Sequence, residues 1–291
     1  MGAKMRTAAS GELELGATDT DHMAIAKYAD DTWQTAAVVS FANPSMHPTS
    51  KCFQYGQTRF EGMQAHKTPE GKLVVFRPEK DAQRSNKSGE RVEMPERPES
   101  LFLEMLEMLV WAEHPTPLFL AVRYSRFISS PNEGEHLSVV PAAQNAAVII
   151  PLLFHRPVRQ DVMAVIRHCF PMESAKEIQQ SEVANIFFVG LDEVIWIPSL
   201  DNHTILDGIT QGSVCDLGEA DGIQVKERHY FVKELLADVR KKRVVEVFFN
   251  RHGWRLVVVG SFYHPDVGEF IVGDGTMGPV TQRLRAELLG I

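Results

Sequence analysis

The sequence predicts an α/β protein built from two domains. Its 291 residues suit two modest domains. Short β-rich runs bounded by turn residues alternate with amphipathic helices. A loop rich in Pro, Asn, Ser and Gly at 129–145 indicates the boundary. We expect a frayed N-terminus over 1–20, a first domain over 21–137, a linker over 138–145 and a second domain over 146–291.

The first domain is predicted to contain a mainly antiparallel sheet. Runs at 36–41 and 73–76 have the composition of strands. The Thr-Pro-Glu-Gly sequence at 68–71 predicts a hairpin turn between them, since Pro at the second position and Gly at the fourth favour a turn. Residues 81–91 are predicted to be helical.

A second helix is predicted over 100–113, where apolar residues share one face and glutamates the other. Ser100 is its expected N-cap, and the Pro-rich sequence after Glu113 ends it. The next predicted strand covers 118–124.

The second domain is predicted to mix short strands with helices. The strands are expected at 148–153, 185–189, 194–197, 244–249 and 255–259. The helices are expected at 210–217, at 232–241 and from Pro279 onward, because Pro is favoured in the first turn of a helix.

Composition excludes several classes of partner. A net charge of −8 argues against nucleic acid and anionic membranes, and no apolar run is long enough to cross a bilayer. The N-terminus lacks the apolar segment of a secretory signal. Three well-separated cysteines fit a reducing cytoplasm without disulfides. We also expect no metal, because the spacing of His155, His168, Cys169 and Glu173 matches no compact ligand motif.

A series of motifs resembles the fold-type IV aminotransferases, most closely the branched-chain amino acid aminotransferases. In the first half these motifs are Tyr55-Gly56, Phe60-Glu61-Gly62, the 68–71 turn, Phe76-Arg77-Pro78 and Asp81-Ala82-Gln83-Arg84. In the second half they are Leu206-Asp207-Gly208-Ile209-Thr210, Glu246-Val247-Phe248, Gly273-Asp274-Gly275 and Gly278-Pro279-Val280-Thr281. The resemblance implies two α/β domains with a cleft between them, usually in a homodimer.

That family uses pyridoxal phosphate (PLP), and the sequence departs from it at three places. The lysine-bearing segment expected between Arg123 and Gln180 is shortened, and Lys176 is the only lysine there. Gln180 stands where the family has a glutamate that pairs with the pyridinium nitrogen. Bulky residues over 249–253 replace the glycines of a second phosphate-binding turn. These departures predict that no cofactor is bound.

The resemblance also predicts which residues line the cleft. We expect catalytic roles for Tyr55, Arg123 and His252, and contacts with an acidic or carbonyl-bearing small molecule from Arg84, Gln180, Thr210 and Arg251. Four of these residues have a structural alternative: Arg84 as a solvated helix residue, Tyr55 as a packed aromatic, and Arg251 with His252 as a surface turn.

Three functions are therefore considered. The preferred hypothesis is a PLP-independent enzyme that uses the cleft for cyclisation, isomerisation or dehydration, with Lys176 silent. The second is a divergent PLP-dependent aminotransferase that uses Lys176. The third is a non-catalytic binding protein. In each case we expect a cytoplasmic protein, and for the enzymes a homodimer.

Overall fold

The computed structural model describes residues 20–68, 70–113, 118–125, 135–141, 177–180, 184–201, 203, 205–251, 255–264 and 268–290. The chain divides into two compact units, Met1–Ile150 and Pro151–Ile291. Each unit combines helices with a sheet, as the predicted α/β class requires. In the described part of the chain, no helix is long and apolar enough to span a membrane.

The first unit is an antiparallel sheet, and two of its helices share a core cluster with it. Its strands are β1 (His22–Ala29), β2 (Thr32–Trp33), β3 (Ala37–Ser40), β4 (Thr58–Lys67), β5 (Leu73–Val75), β6 (Leu118–Ser125) and β7 (Glu135–Pro141). Its helices are α1 (Lys51–Tyr55), α2 (Pro78–Glu90) and α3 (Glu99–Ala112). The described strands are ordered β2-β1-β7-β6-β4-β5, and β3 pairs with β1.

Helix α3 supplies much of the core of this unit. Its buried side chains are Leu101, Phe102, Met105, Leu106 and Leu109, which recur at helical spacing. The expected cap is wrong: the N-cap is Pro98, no side chain caps the helix, and Ser100 lies inside it.

The hairpin turn at 68–71 is confirmed, but its first strand differs from the prediction. Thr68 N donates to Lys72 O at 2.7 Å and Gly71 N to Thr68 O at 2.9 Å, so the turn joins β4 to β5. The sequence did not indicate β4, because its buried face carries Arg59 and Glu61 among apolar residues. These charges hide the alternation by which a strand is normally found.

The expected linker also differs from the structure. Residues 138–141 are the end of β7, in the middle of the sheet. Val139 pairs with Ala24 of β1 on one side and Val122 of β6 on the other. The Pro- and Ser-containing composition that indicated a loop belongs here to a strand.

The described residues of the second unit form a five-stranded sheet and a separate hairpin. The strands of the unit are β8 (Ala184–Gly190), β9 (Ile195–Pro198), β10 (Val225–Arg228), β11 (Val244–Arg251), β12 (Arg255–Val258), β13 (Ser261–His264) and β14 (Gly268–Ile271). Its helices are α4 (Ile209–Ala220), α5 (Val232–Arg240) and α6 (Pro279–Gly290). The sheet order is β10-β9-β8-β11-β12, with β13 and β14 as a separate hairpin.

Two apolar clusters hold this sheet between its helices. At its centre, the rings of Phe187 on β8 and Phe248 on β11 stack with centroids 4.7 Å apart, a contact that adds to the stabilisation from burial. The predicted strand at 148–153 lies outside the described residues.

Candidate functional site

The start of α4 is held by a network of side-chain amides. Asn185, at the start of β8, donates from Nδ2 to Leu206 O at 2.9 Å and to Gln180 Oε1 at 3.2 Å. Gln180 Oε1 also accepts from Leu206 N at 2.9 Å. The Leu-Asp-Gly-Ile-Thr motif singled out in the sequence is therefore held next to β8, because Asn185 binds its backbone at Leu206.

This helix start has the chemistry of an anion site. Its N-cap is Gly208, which has no side chain to bond the N–H groups of the first turn, and that turn contains no acidic residue. A Cβ on Gly208 would lie 2.2 Å from Asn185 Oδ1, so any other residue there would displace the Asn185 amide. Thr210 is the second residue of the helix. Backbone N–H groups at such a terminus, together with the helix dipole, favour a phosphate or carboxylate.

Gln211 in the same turn adds a second indication. It is 2% exposed, and its Nε2 has no hydrogen-bond partner among the described residues. Its Oε1 accepts from Gly208 N at 3.4 Å, which directs the amide towards the helix start. A buried donor without an acceptor is costly, so an anionic oxygen bound at this terminus would stabilise it.

The orientation of Gln180 follows from its partners. Leu206 N can only donate, so the oxygen of Gln180 must be the atom that faces it. The remaining group, Nε2, is a donor. Gln180 therefore has an N–H to offer a ligand, whereas a glutamate would offer a negatively charged acceptor.

Two further motifs are joined by a buried carboxylate. Glu246 on β11 accepts from Val280 N at 3.0 Å and from Thr281 N at 2.8 Å, both in the first turn of α6. Thr281 Oγ1 also donates to it at 2.6 Å. Glu246 is thus the cap of α6, and its interaction explains why Glu-Val-Phe and Gly-Pro-Val-Thr occur together.

In the first unit, Arg84 contacts carboxylates. Its Nε donates to Glu61 Oε1 at 3.1 Å, and its Nη2 lies 3.2 Å from Asp81 Oδ1. Both acids are buried, Glu61 on β4 and Asp81 on α2. The structure thus places the predicted anion-binding guanidinium between two acidic side chains of its own unit, and its role toward a ligand stays a prediction.

Asp81 makes this cluster sensitive to pH. Burial, and then the neighbouring Glu61 carboxylate, raise the pKa of Asp81 to about 8 from 3.8, while Arg84 opposes the rise. A carboxyl whose pKa is higher in the folded state stabilises the protein fully at pH values below its pKa in the unfolded chain. This contribution to the free energy of unfolding is lost as the pH rises through the folded pKa of about 8.

We therefore expect Asp81→Asn, which resembles the protonated acid, to remove this loss. Between pH 5 and pH 8.5 the Tm of the variant should gain about 2–4 °C on that of the parent protein. Glu90→Gln, an exposed acid at the end of the same helix, is the control and should leave the pH dependence of Tm unchanged. Parallel Tm curves for the parent and Asp81→Asn would contradict the assignment.

The other predicted residues have the following places. Tyr55 ends α1 and is 82% exposed. Arg123 lies on β6, opposite Phe60 of β4 and Ser138 of β7. Arg251 is the last residue of β11, and His252 lies outside the described residues.

The structure brings Gln180 and the helix start with Thr210 together within the second unit. Tyr55, Arg84 and Arg123 belong to the first unit, and their common cleft with the second stays a prediction. In the altered turn at 249–253, Asn250 is buried in β11 and its Oδ1 accepts from Asn185 N at 3.0 Å. No group of His, Cys, Asp and Glu in the described residues is arranged to hold a metal ion.

Comparison with known proteins gives a consistent family. A family model described as amino-transferase class IV matches residues 166–240. The branched-chain-amino-acid aminotransferase of Mycolicibacterium smegmatis is 27% identical, over 94% of this chain and 86% of its own. Branched-chain-amino-acid transaminase 1 of Bacillus subtilis is 26% identical, over 94% and 88%.

Solved structures agree. The branched-chain amino acid aminotransferase from Escherichia coli superposes with a TM-score of 0.67 over 94% of both chains, at 17% identity. A second branched-chain amino acid aminotransferase, solved with pyridoxamine 5'-phosphate, has a TM-score of 0.65 over 93% of both chains, at 18% identity. The chain has the fold-type IV aminotransferase fold. The family resemblance drawn from the sequence motifs is confirmed.

The preferred function drawn from the sequence is contradicted. Relatives that match nearly the whole of this chain are named branched-chain aminotransferases, and one similar solved structure contains pyridoxamine 5'-phosphate. These findings favour the aminotransferase alternative over a PLP-independent enzyme. The inference failed because it treated unfamiliar residues as losses. Gln180 and Asn250 keep ordered roles at the helix start, and the shortened segment up to Lys176 lies outside the described residues.

Proposed function

We propose that this fold-type IV protein is a divergent PLP-dependent aminotransferase that exchanges an amino group between a branched-chain or similar small amino acid and a 2-oxo acid. The names of relatives that match over nearly the whole chain support the reaction class. The observation that carries the cofactor is the start of α4, where Gly208 and the unpartnered Gln211 Nε2 fit a phosphate group.

The residues of this chain would divide the work as follows. The backbone N–H groups of the first turn of α4, with the Thr210 hydroxyl, would hold the cofactor phosphate. When bound, PLP supplies the aldehyde that exchanges the amino group and a ring that withdraws electrons. Gln180 Nε2 would face the ring nitrogen as a donor, so this protein would favour the unprotonated ring more than a glutamate would.

The remaining predicted residues belong to the substrate side of the proposal. Arg123 and Arg84 offer planar cations suited to a carboxylate, and Tyr55 offers a phenolic donor. Arg251 and His252, in the altered turn, would contact the substrate or move a proton. Lys176 would attach the cofactor covalently.

A direct test uses the full-length protein incubated with PLP. After dialysis, bound cofactor should absorb in the visible or near-ultraviolet region, and amino-group transfer from leucine, isoleucine or valine to 2-oxoglutarate should be measurable. The proposal is overturned if the dialysed protein retains no PLP and none of the three amino acids reacts.

Gln180→Glu should strengthen cofactor binding. The glutamate keeps one oxygen for Leu206 N and Asn185 Nδ2, and places a second oxygen where Nε2 now lies. That oxygen would form a charge-assisted hydrogen bond with a protonated ring nitrogen, so we expect about tenfold tighter PLP binding, in line with the typical worth of hydrogen bonds to charged groups. Equilibrium dialysis measures it directly.

Gln180→Met provides the comparison for this variant, since it removes both hydrogen bonds without adding a charge. It should bind PLP more weakly than the parent protein. If Gln180→Glu binds PLP no more tightly than the parent protein, the ring nitrogen does not face this residue.

The homodimer expected from the resemblance also belongs to the proposal. Light scattering of the full chain at micromolar concentration should give about twice the mass of 32.6 kDa. A monomeric mass under these conditions would count against it.

A further inference from the structure

His229 lies between the two segments that build the start of α4. Ile178 N, in the segment that carries Gln180, donates to Tyr230 O at 2.6 Å. Ser199 N, at the beginning of the loop 199–208, donates to Arg228 O at 3.0 Å. Because its two neighbours are bonded to opposite segments, His229 is the residue whose side chain is placed to reach both.

The imidazole contacts one carboxylate in each segment. Its Nδ1 lies 2.6 Å from Glu177 Oε1, and its Nε2 lies 3.1 Å from Asp201 Oδ2. A carboxylate only accepts hydrogen bonds, and a neutral imidazole has a single N–H donor. Only the doubly protonated imidazolium can donate to both acids at once, so this geometry describes the charged form of His229.

We propose that His229 is a proton-dependent clasp that positions the loop 199–208, and with it the glycine-capped start of α4. Protonated, the ring joins Glu177 to Asp201 and closes the loop against the segment 177–180. After loss of one proton, the ring keeps the shorter bond to Glu177, whose side chain is 14% exposed, and releases Asp201, which is 64% exposed.

The surroundings of the clasp decide the direction of its pH dependence. In the described residues, Glu177 and Asp201 are the charged groups that contact the ring. Of the charged side chains nearby, Glu227 accepts from Leu200 N, and Arg228 pairs with Glu234.

The hydrogen bond to Glu177, and then the charge of Asp201, raise the pKa of His229 above 6.5. A histidine with a raised folded pKa contributes its stabilisation below its unfolded pKa, and loses it as pH rises through the folded value. The clasp is therefore closed in mild acid and opens as the pH rises through the raised pKa of His229.

The test measures amide hydrogen exchange of the loop 199–208 in the cofactor-free full chain between pH 5.5 and 9. At each pH the parent protein is compared with His229→Gln, so that the intrinsic pH dependence of exchange cancels. We expect His229→Gln to exchange about two- to fivefold faster at pH 5.5, as suits an exposed charge pair. The ratio should fall to one by pH 9. A ratio that stays constant over this range, or equals one throughout, overturns the clasp.

His203→Asn is the matched control, because this histidine lies in the same loop and Asn tolerates its positive φ of 57°. It should preserve the pH dependence of the parent protein. A second readout is the PLP dissociation constant, which His229→Gln should raise at pH 6 and leave unchanged at pH 9. This second readout rests on the proposed function. If PLP does not bind, the exchange ratio still decides the clasp.

Discussion

Lys176→Ala is expected to abolish covalent PLP binding and to reduce amino-group transfer about 10²–10⁴-fold, the usual contribution of a positioned proton carrier. Lys176 is the only lysine between Arg123 and Gln180, and it directly precedes the segment that carries Gln180. An aminotransferase needs an amine that both binds the cofactor aldehyde and moves the proton. Borohydride reduction followed by peptide mass spectrometry should find the cofactor on Lys176 in the parent protein.

Lys226→Ala is the matched control, since Lys226 is an exposed lysine on β10. It should leave both the adduct and the activity unchanged. If the reduced adduct is found on another lysine, or if Lys176→Ala retains activity, the assignment of Lys176 is wrong although the protein would still be an aminotransferase. If there is no adduct and no activity in the parent protein, the proposed function itself fails.

The sequence predicted well those helices and strands in which apolar residues recur periodically and turn residues mark both ends. The predicted helix at 100–113 corresponds to α3, and the predicted strand at 185–189 to β8. Apolar side chains in these elements repeat at the helical or strand period, and each element is bounded by polar or turn residues.

The elements that sequence missed depend on contacts from elsewhere in the chain. Strand β4 buries Arg59 and Glu61, and these charges are tolerated because helix α2 supplies partners: Arg59 donates to Ser85 O, and Glu61 binds Arg84. No local pattern contains this information. Strand β7 likewise owes its order to pairing on both edges rather than to its own composition.

The candidate site shows the same division. The resemblance of Leu-Asp-Gly-Ile-Thr to the family motif predicted a ligand contact from Thr210, and a helix N-terminus has the backbone chemistry for it. Nothing local indicated that Asn185 orients Gln180. Nor did any local pattern show that His229 joins two acids, because Glu177 lies 52 residues away in the chain and Asp201 lies 28 residues away. Reading Gln180 as a lost glutamate assigned a role from residue type, whereas its hydrogen bonds show an ordered amide.

Glu246→Ala should produce the largest loss of stability among these variants. The carboxylate is 6% exposed and accepts three hydrogen bonds from Val280 and Thr281 at the start of α6. Removing it leaves two backbone N–H groups and a hydroxyl without their acceptor in a buried site. The alanine side chain cannot accept these hydrogen bonds. We expect the free energy of unfolding, measured in urea, to fall by about 3 kcal/mol.

Glu234→Ala isolates the effect of burial, because Glu234 also binds a helix start but does so at the surface. Its Oε2 accepts from Phe231 N at 3.0 Å, and its side chain is 48% exposed. Water can replace this acceptor, so the loss should stay below about 1 kcal/mol. If the two alanine variants lose the same stability, burial is not what makes Glu246 important. If Glu246→Ala alone is severe, the carboxylate is the link that fixes α6 to β11, an interior strand of the second unit's sheet.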